Sequence, residues 1–142
     1  MYLWDSNVLR YYFNKHPNLL AYVGSVPGRE IALPSVVIAE VVSGRCEYVL
    51  KAEPEKAVLA NELLMDTLKI IREFQIVTFD QACAAALTEL LAKHKSRKRY
   101  ADFMIAAIAV AGKHTVVTRN RKDFADLLPA LQLQNWIDDE IR

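Results

Sequence analysis

The first thirteen residues, MYLWDSNVLRYYF (1–13), decide the fold class. Residues 1–4 are a short apolar run of strand type, Asp5-Ser6 is a pair that favours helix caps, and the following VLRYYF has helical patterning. A strand therefore feeds directly into a helix. The same alternation recurs along the chain. Residues 30–33 read as a second strand, and Pro34-Ser35 opens a helix to about residue 50, because proline is tolerated in a first helical turn. Pro54 opens another over about 55–74, with Ala57, Leu64, Leu68 and Ile71 on one side. Residues 75–79 form a third strand, and Asp80 caps a helix over 81 to about 95. Residues 100–111 form a further helix, closed by Gly112 in the left-handed position. Residues 115–118 are a fourth strand, RNRKDF a loop leading to a short helix, and 131–133 a small last strand. Short, nearly all-apolar strands separated by helices describe a mostly parallel sheet covered on both faces, an α/β sandwich.

Composition bounds the rest. At 142 residues and 53% hydrophobic, the chain is the size of one domain, residues 1–142, and its four glycines and five prolines cluster into no linker. A chain of this length buries roughly 70% of its unfolded surface. Eighteen Lys and Arg against seventeen Asp and Glu give a net charge of +1, which excludes the strongly basic profile of a nucleic-acid coat. No apolar run approaches the roughly 20 residues of a membrane span, and the start carries no basic leader, so a soluble, cytoplasmic protein without a membrane partner is expected. Cys46 and Cys83 stand alone in apolar helical stretches and read as reduced, packed thiols.

Four carboxylates fall in unusual places. Asp5 follows the first strand and Asp123 the fourth, so both emerge at the carboxyl edge of a parallel sheet, where open α/β folds keep their sites, although each would also serve as a helix cap. Glu40, in PSVVIAEVVSG, shares a helix face with Val36 and Val37, and no balancing base is evident nearby before Arg45. An unpaired buried carboxylate is costly. Asp102, in YADFMIAAIAVAG, shares a face with Ile105, Ala106 and Ala109 while sitting in the first turn, where the helix dipole also favours an anion. Four acids converging without an equally clear set of bases are stabilised by a hard divalent cation, Mg²⁺ or Mn²⁺ in preference to zinc, since His16, His94 and His114 follow no ligand spacing. Such a site polarises a phosphoryl oxygen and activates water, the chemistry of phosphodiester hydrolysis.

The segments LWDSNVL (3–9), LPSVVIAEVVSG (33–44), ADFMIAAIA (101–109) and VVTRNRKDF (116–124) resemble the four motifs of PIN-domain ribonucleases, closest to the VapC-like toxins of bacterial toxin-antitoxin pairs. The resemblance implies a three-layer α/β/α sandwich with a short, mostly parallel sheet, a metal-dependent endoribonuclease activity on RNA, a homodimer, and a cognate antitoxin as inhibitory partner. It assigns the catalytic, metal-binding acids to Asp5, Glu40, Asp102 and Asp123. Ser6, Asn7, Thr118 and Asn120 match polar positions that support those acids. Ser6 stands where threonine is commoner, and Asn120 where many relatives carry an acid, so by the resemblance the fourth ligand is either Asp123 or weakly present.

The segment KHKSRKR (93–99) carries five Lys or Arg just before Asp102; if it lines the cleft, Arg97, Lys98 and Arg99 hold RNA phosphates, and otherwise it is a solvated loop. Arg119 is a candidate contact for substrate phosphate or an antitoxin acid, and the tail IDDEIR reads as a frayed terminus. Two other classes remain in view. A dehalogenase-like phosphatase would use Asp5 as nucleophile, but the second acid it needs two residues on is Asn7. A PIN-like fold could also act as a non-catalytic binding module, its acids only capping helices.

Overall fold

A computed structural model of the chain describes residues 1–94 and 99–141. Five strands, β1 (Tyr2–Trp4), β2 (Ile31–Pro34), β3 (Gln75–Val77), β4 (Thr115–Val117) and β5 (Leu133–Gln134), form one sheet in the order β3-β2-β1-β4-β5. Every pairing is parallel. Six helices connect the strands: α1 (Ser6–Phe13), α2 (Pro17–Ser25), α3 (Ser35–Lys51), α4 (Pro54–Ile71), α5 (Gln81–Lys93) and α6 (Tyr100–Gly112). The result is the expected three-layer α/β/α sandwich.

The strands are brief because the sheet is covered. Leu3, Trp4, Ala32, Leu33, Val116 and Val117 are all fully buried, so a few apolar residues per strand suffice. α6 is the most deeply sunk helix, with Phe103 and every residue from Ile105 to Ala109 buried; its alanines let neighbouring backbone approach. Trp4 anchors an aromatic cluster, its ring centroid 5.3 Å from Tyr12, 5.1 Å from Phe74 and 6.2 Å from Trp136. Cys83 is buried and Cys46 half-buried, and both are free thiols.

Four details depart from expectation. The sequence pattern leaves α2 unmarked: His16 offers no side-chain cap and only Leu19 is buried, so neither a cap nor an apolar stripe announces it. The third strand is two residues shorter than expected, and the last lies two residues later. Gly112 is helical, and the left-handed residue after α6 is Lys113 (φ 55°, ψ 44°). Gly112 answers a different need, since a Cβ there would run into the His114 imidazole. Finally, the tail is tied down. Asn18 Nδ2 donates to the carbonyls of Trp136, Ile137 and Asp139, and Tyr22 Oη to that of Glu140.

Strand order reverses at β1, whose neighbours β2 and β4 lead away in opposite directions. Open α/β sheets hold their ligands in the crevice outside the strand ends at such a point. No helix among the described residues is long and apolar enough to cross a membrane.

Candidate functional site

The register fixes the first acid. Trp4 pairs with Val117, and the Asp5 N–H donates to the Val117 carbonyl at 3.2 Å, which sets Asp5 beside Thr118 at the reversal point. Asp5 also caps α1, its Oδ1 accepting from the Val8 N–H at 2.9 Å. Capping and pocket placement are thus both true of this residue. Burial pushes the Asp5 carboxyl above the usual aspartate range, against the lowering effect of hydrogen bonds from the Thr118 side chain and the Val8 and Asn7 backbone; the nearby charge of Glu40 adds to the rise.

Asp5, Glu40, Asp102 and Asp123 line one small cavity, together with Ser6, Asn7, Arg99, Ile105 and Asn120. Asp102, in the first turn of α6, is only 8% exposed. Its pKa is pushed up to about 6, first by burial and then by the negative charges of Asp123, Asp5 and Glu40, with Arg99 opposing. Each remaining acid has a polar neighbour that orients it. Ser6 Oγ donates to Glu40 Oε1 at 2.6 Å, and Asn120 Nδ2 donates to Asp123 Oδ2 at 2.8 Å. Thr118 Oγ1 in turn accepts from the Asn120 N–H at 3.0 Å. Ser6, Asn7 and Asn120 therefore line the cavity and Thr118 hydrogen-bonds Asp5, while the Asn7 side chain accepts from Arg10 at 3.1 Å.

The expectation of an unbalanced Glu40 is corrected. Its counter-ion comes from a distant part of the chain, since Arg99, directly before α6, pairs its guanidinium with Glu40 Oε2. Arg99, expected to face substrate phosphate, is thus engaged inside the acid pocket. Arg97 and Lys98 lie outside the described residues. Arg119 lines the neighbouring cavity and not that of the acids: its Nε donates to Asp138 Oδ2 at 3.0 Å and its Nη1 to the Tyr11 hydroxyl. Arg121 pairs with Asp139, so the acids of the supposedly frayed tail partner the basic loop after β4.

An all-oxygen set of desolvated carboxylates suits a hard divalent cation. Among the described residues no three acidic, His or Cys side chains stand together as a metal-holding group; Glu40 is occupied by Ser6 and Arg99, and Asp123 by Asn120. The donor chemistry fits a cation, with Arg99 holding part of the place its charge would take. Sequence reasoning missed Arg10, Tyr11 and Asn14, which line a cavity next to the acids. Their signal was available, because Asn7, Arg10, Tyr11 and Asn14 recur at i, i+3, i+4 and i+7.

The sequence and the fold are similar to those of known proteins. The PIN domain sequence profile matches residues 2–127. Ribonuclease VapC2 of Rickettsia felis is 29% identical over 143 residues, covering 96% of this chain and 98% of that protein. The crystal structure of VapBC2 from Rickettsia felis, bound to a DNA fragment from their promoter, superposes with a TM-score of 0.69 at 29% identity over 95% of this chain and 98% of that one. FitAcB from Neisseria gonorrhoeae superposes with a TM-score of 0.77 at 25% identity, covering 98% of this chain and all of that one (100%).

Proposed function

The chain belongs to the PIN domain family, and from that premise we propose that it is the toxin of a toxin-antitoxin pair, an Mg²⁺-dependent endoribonuclease that hydrolyses RNA phosphodiester bonds. The observation that carries this reading is the convergence of Asp5, Glu40, Asp102 and Asp123, from four separate elements, on one cavity at the strand-order reversal. Four helix-capping acids would have no reason to meet. Nor would they raise one another's proton affinity, as Asp123, Asp5 and Glu40 do for Asp102.

When bound, Mg²⁺ or Mn²⁺ held by Asp5, Asp102 and Asp123, and by Glu40 once it leaves Arg99, supplies charge for the scissile phosphate and a more acidic water. The chain's own residues prepare that site. Thr118 and the Val8 N–H hold Asp5 in place. Ser6 keeps Glu40 turned inward, and Asn120 does the same for Asp123. Cation binding requires Asp102 ionised, so it is coupled to proton release below about pH 6.

An antitoxin partner is supported by the likeness to VapBC2 and Ribonuclease VapC2. A homodimer is supported by α4, which packs on α3 and leaves Val58, Leu59 and Met65 exposed. The purified protein is expected to cleave total RNA with Mg²⁺. Asp5→Asn and Asp102→Asn should each abolish cleavage while remaining folded by circular dichroism. Full cleavage by both variants, or in excess EDTA, would overturn the reading. No thermal shift with millimolar Mn²⁺ and no cleavage would favour the non-catalytic binding module.

A further inference from the structure

A second cavity, of about 570 Å³, opens next to the acid pocket and is lined by Asn7, Arg10, Tyr11, Asn14, Arg119 and Asn120. Asn7 and Asn120 line both spaces, so a chain crossing the acids continues into this groove. We propose that the groove seats one single-stranded RNA nucleotide beside the scissile phosphate, its base stacked on the Arg119 guanidinium and its phosphate held by Arg10. The inference rests on the nuclease reading and adds the residues that position the strand.

Three features argue for it. The first is the face of α1. Val8 and Leu9 are fully buried, whereas Asn7, Arg10 and Asn14 are exposed and Tyr11 half-exposed, so one side of the helix serves the core and the other presents hydrogen-bonding groups to the groove. The second is the preparation of Arg119. Its Cζ lies 5.5 Å from the Tyr11 ring centroid, its Nη1 donates to the Tyr11 hydroxyl, and Asp138 holds its Nε. The Tyr11 ring is itself braced by His16, edge-on at 5.4 Å and 80°. A flat cation held in place at the hydroxyl edge of a braced ring offers its own plane as a stacking platform, which recognition of unstacked RNA bases employs. The third is charge. Asp138 offsets Arg119, but Arg10 hydrogen-bonds only the neutral Asn7 among the described residues, and so retains its charge for a phosphate. The volume lies within the roughly 300–1,000 Å³ of small-ligand sites, right for a nucleotide and too small for a duplex.

The test is binding, measured apart from metal and cleavage. A fluorescently labelled single-stranded RNA hexamer is titrated with the full chain in EDTA and followed by anisotropy. Tyr11→Ala and Arg119→Lys are each expected to weaken binding about tenfold, Arg119→Lys because it keeps the charge and loses the plane. Arg10→Gln should weaken binding and reduce the slope of log affinity against log salt by about one. Tyr11→Phe, which keeps the ring but loses the hydroxyl that accepts from Arg119, should weaken binding less than Tyr11→Ala. All of these variants should retain the wild-type thermal shift with Mn²⁺, which separates a loss here from a failure of the nuclease reading. Wild-type affinity in both Tyr11→Ala and Arg119→Lys would overturn the proposal. So would tighter binding of a duplex or of a DNA hexamer of the same sequence.

Discussion

Arg99 reaches from the start of α6 to Glu40 on α3, so a pocket built from four acids carries one cation of its own. The Arg99 side chain is 63% exposed and that of Glu40 22%, and an ion pair so open to water contributes about 0–1 kcal/mol. In the proposed metal site a divalent cation would displace it at little cost. Arg99→Gln is expected to tighten Mn²⁺ binding several-fold by isothermal titration calorimetry, while lowering metal-free stability by less than about 1 kcal/mol. Unchanged affinity would show that Arg99 does not compete for the site.

Asp102 sets a pH dependence of defined sign. Its folded-state pKa of about 6 lies above the ordinary 3.8, so the folded form binds the proton more tightly. That contribution to stability is complete below the ordinary value and is lost as pH rises through about 6. Asp5 is shifted in the same direction; Asp80 and Asp138, whose pKa values are lowered, cost stability only under more acidic conditions, and His114, whose pKa burial lowers, opposes Asp102 within the window but is left unchanged by a substitution at Asp102. In EDTA, the melting temperature is expected to fall between pH 4 and 7, by the equivalent of roughly 2–3 kcal/mol for Asp102. Asp102→Asn should flatten the profile. A melting temperature that rises through this window would contradict the assignment.

Asp5 caps α1 and, in the proposed nuclease, serves the metal site, and different substitutions separate the two roles. Asparagine retains an Oδ1 that can accept from the Val8 N–H, so Asp5→Asn should melt at or above the wild-type temperature while losing cleavage. Asp5→Ala removes the cap as well and should be about 1 kcal/mol less stable than Asp5→Asn. Denaturant unfolding followed by circular dichroism measures the difference.

The tail depends on Asn18. Its Nδ2 donates to three carbonyls, at 3.1, 3.2 and 2.7 Å. Asn18→Ala is expected to destabilise the protein by about 1–2 kcal/mol. It should also open residues 137–141 to carboxypeptidase, read by mass spectrometry. A tail as resistant as in wild type would show that other contacts hold it.

Much of this was legible in the sequence because it rests on local chemistry. The apolar strand that ends in Asp5-Ser6, the proline that opens α4 and the buried face around Asp102 all declare themselves within a few residues. Ser6 was visible as a retained hydroxyl, though not as the donor to Glu40. What escaped was set by contacts across the chain. The Glu40–Arg99 pair spans 59 residues, and the Asn18 bonds to the tail span more than a hundred. Gly112 is explained by the imidazole two residues on rather than by its own dihedrals. The face of α1 shows the reverse case. Its periodicity is present at Asn7, Arg10, Tyr11 and Asn14, but a polar helix face is also what solvent exposure alone produces, so the pattern does not by itself mark a groove.

The position of β1 at the centre of the sheet has a consequence for synthesis. Asp5 leaves the ribosome first, yet its place beside Thr118 exists only after β4 has docked against β1. The four acids span positions 5 to 123, so a nascent chain holds no assembled pocket until residue 123 has been made. Synthesis of the first acid therefore precedes completion of the pocket by more than a hundred residues, and the strand that begins the sheet waits for β4 before Asp5 has its neighbours.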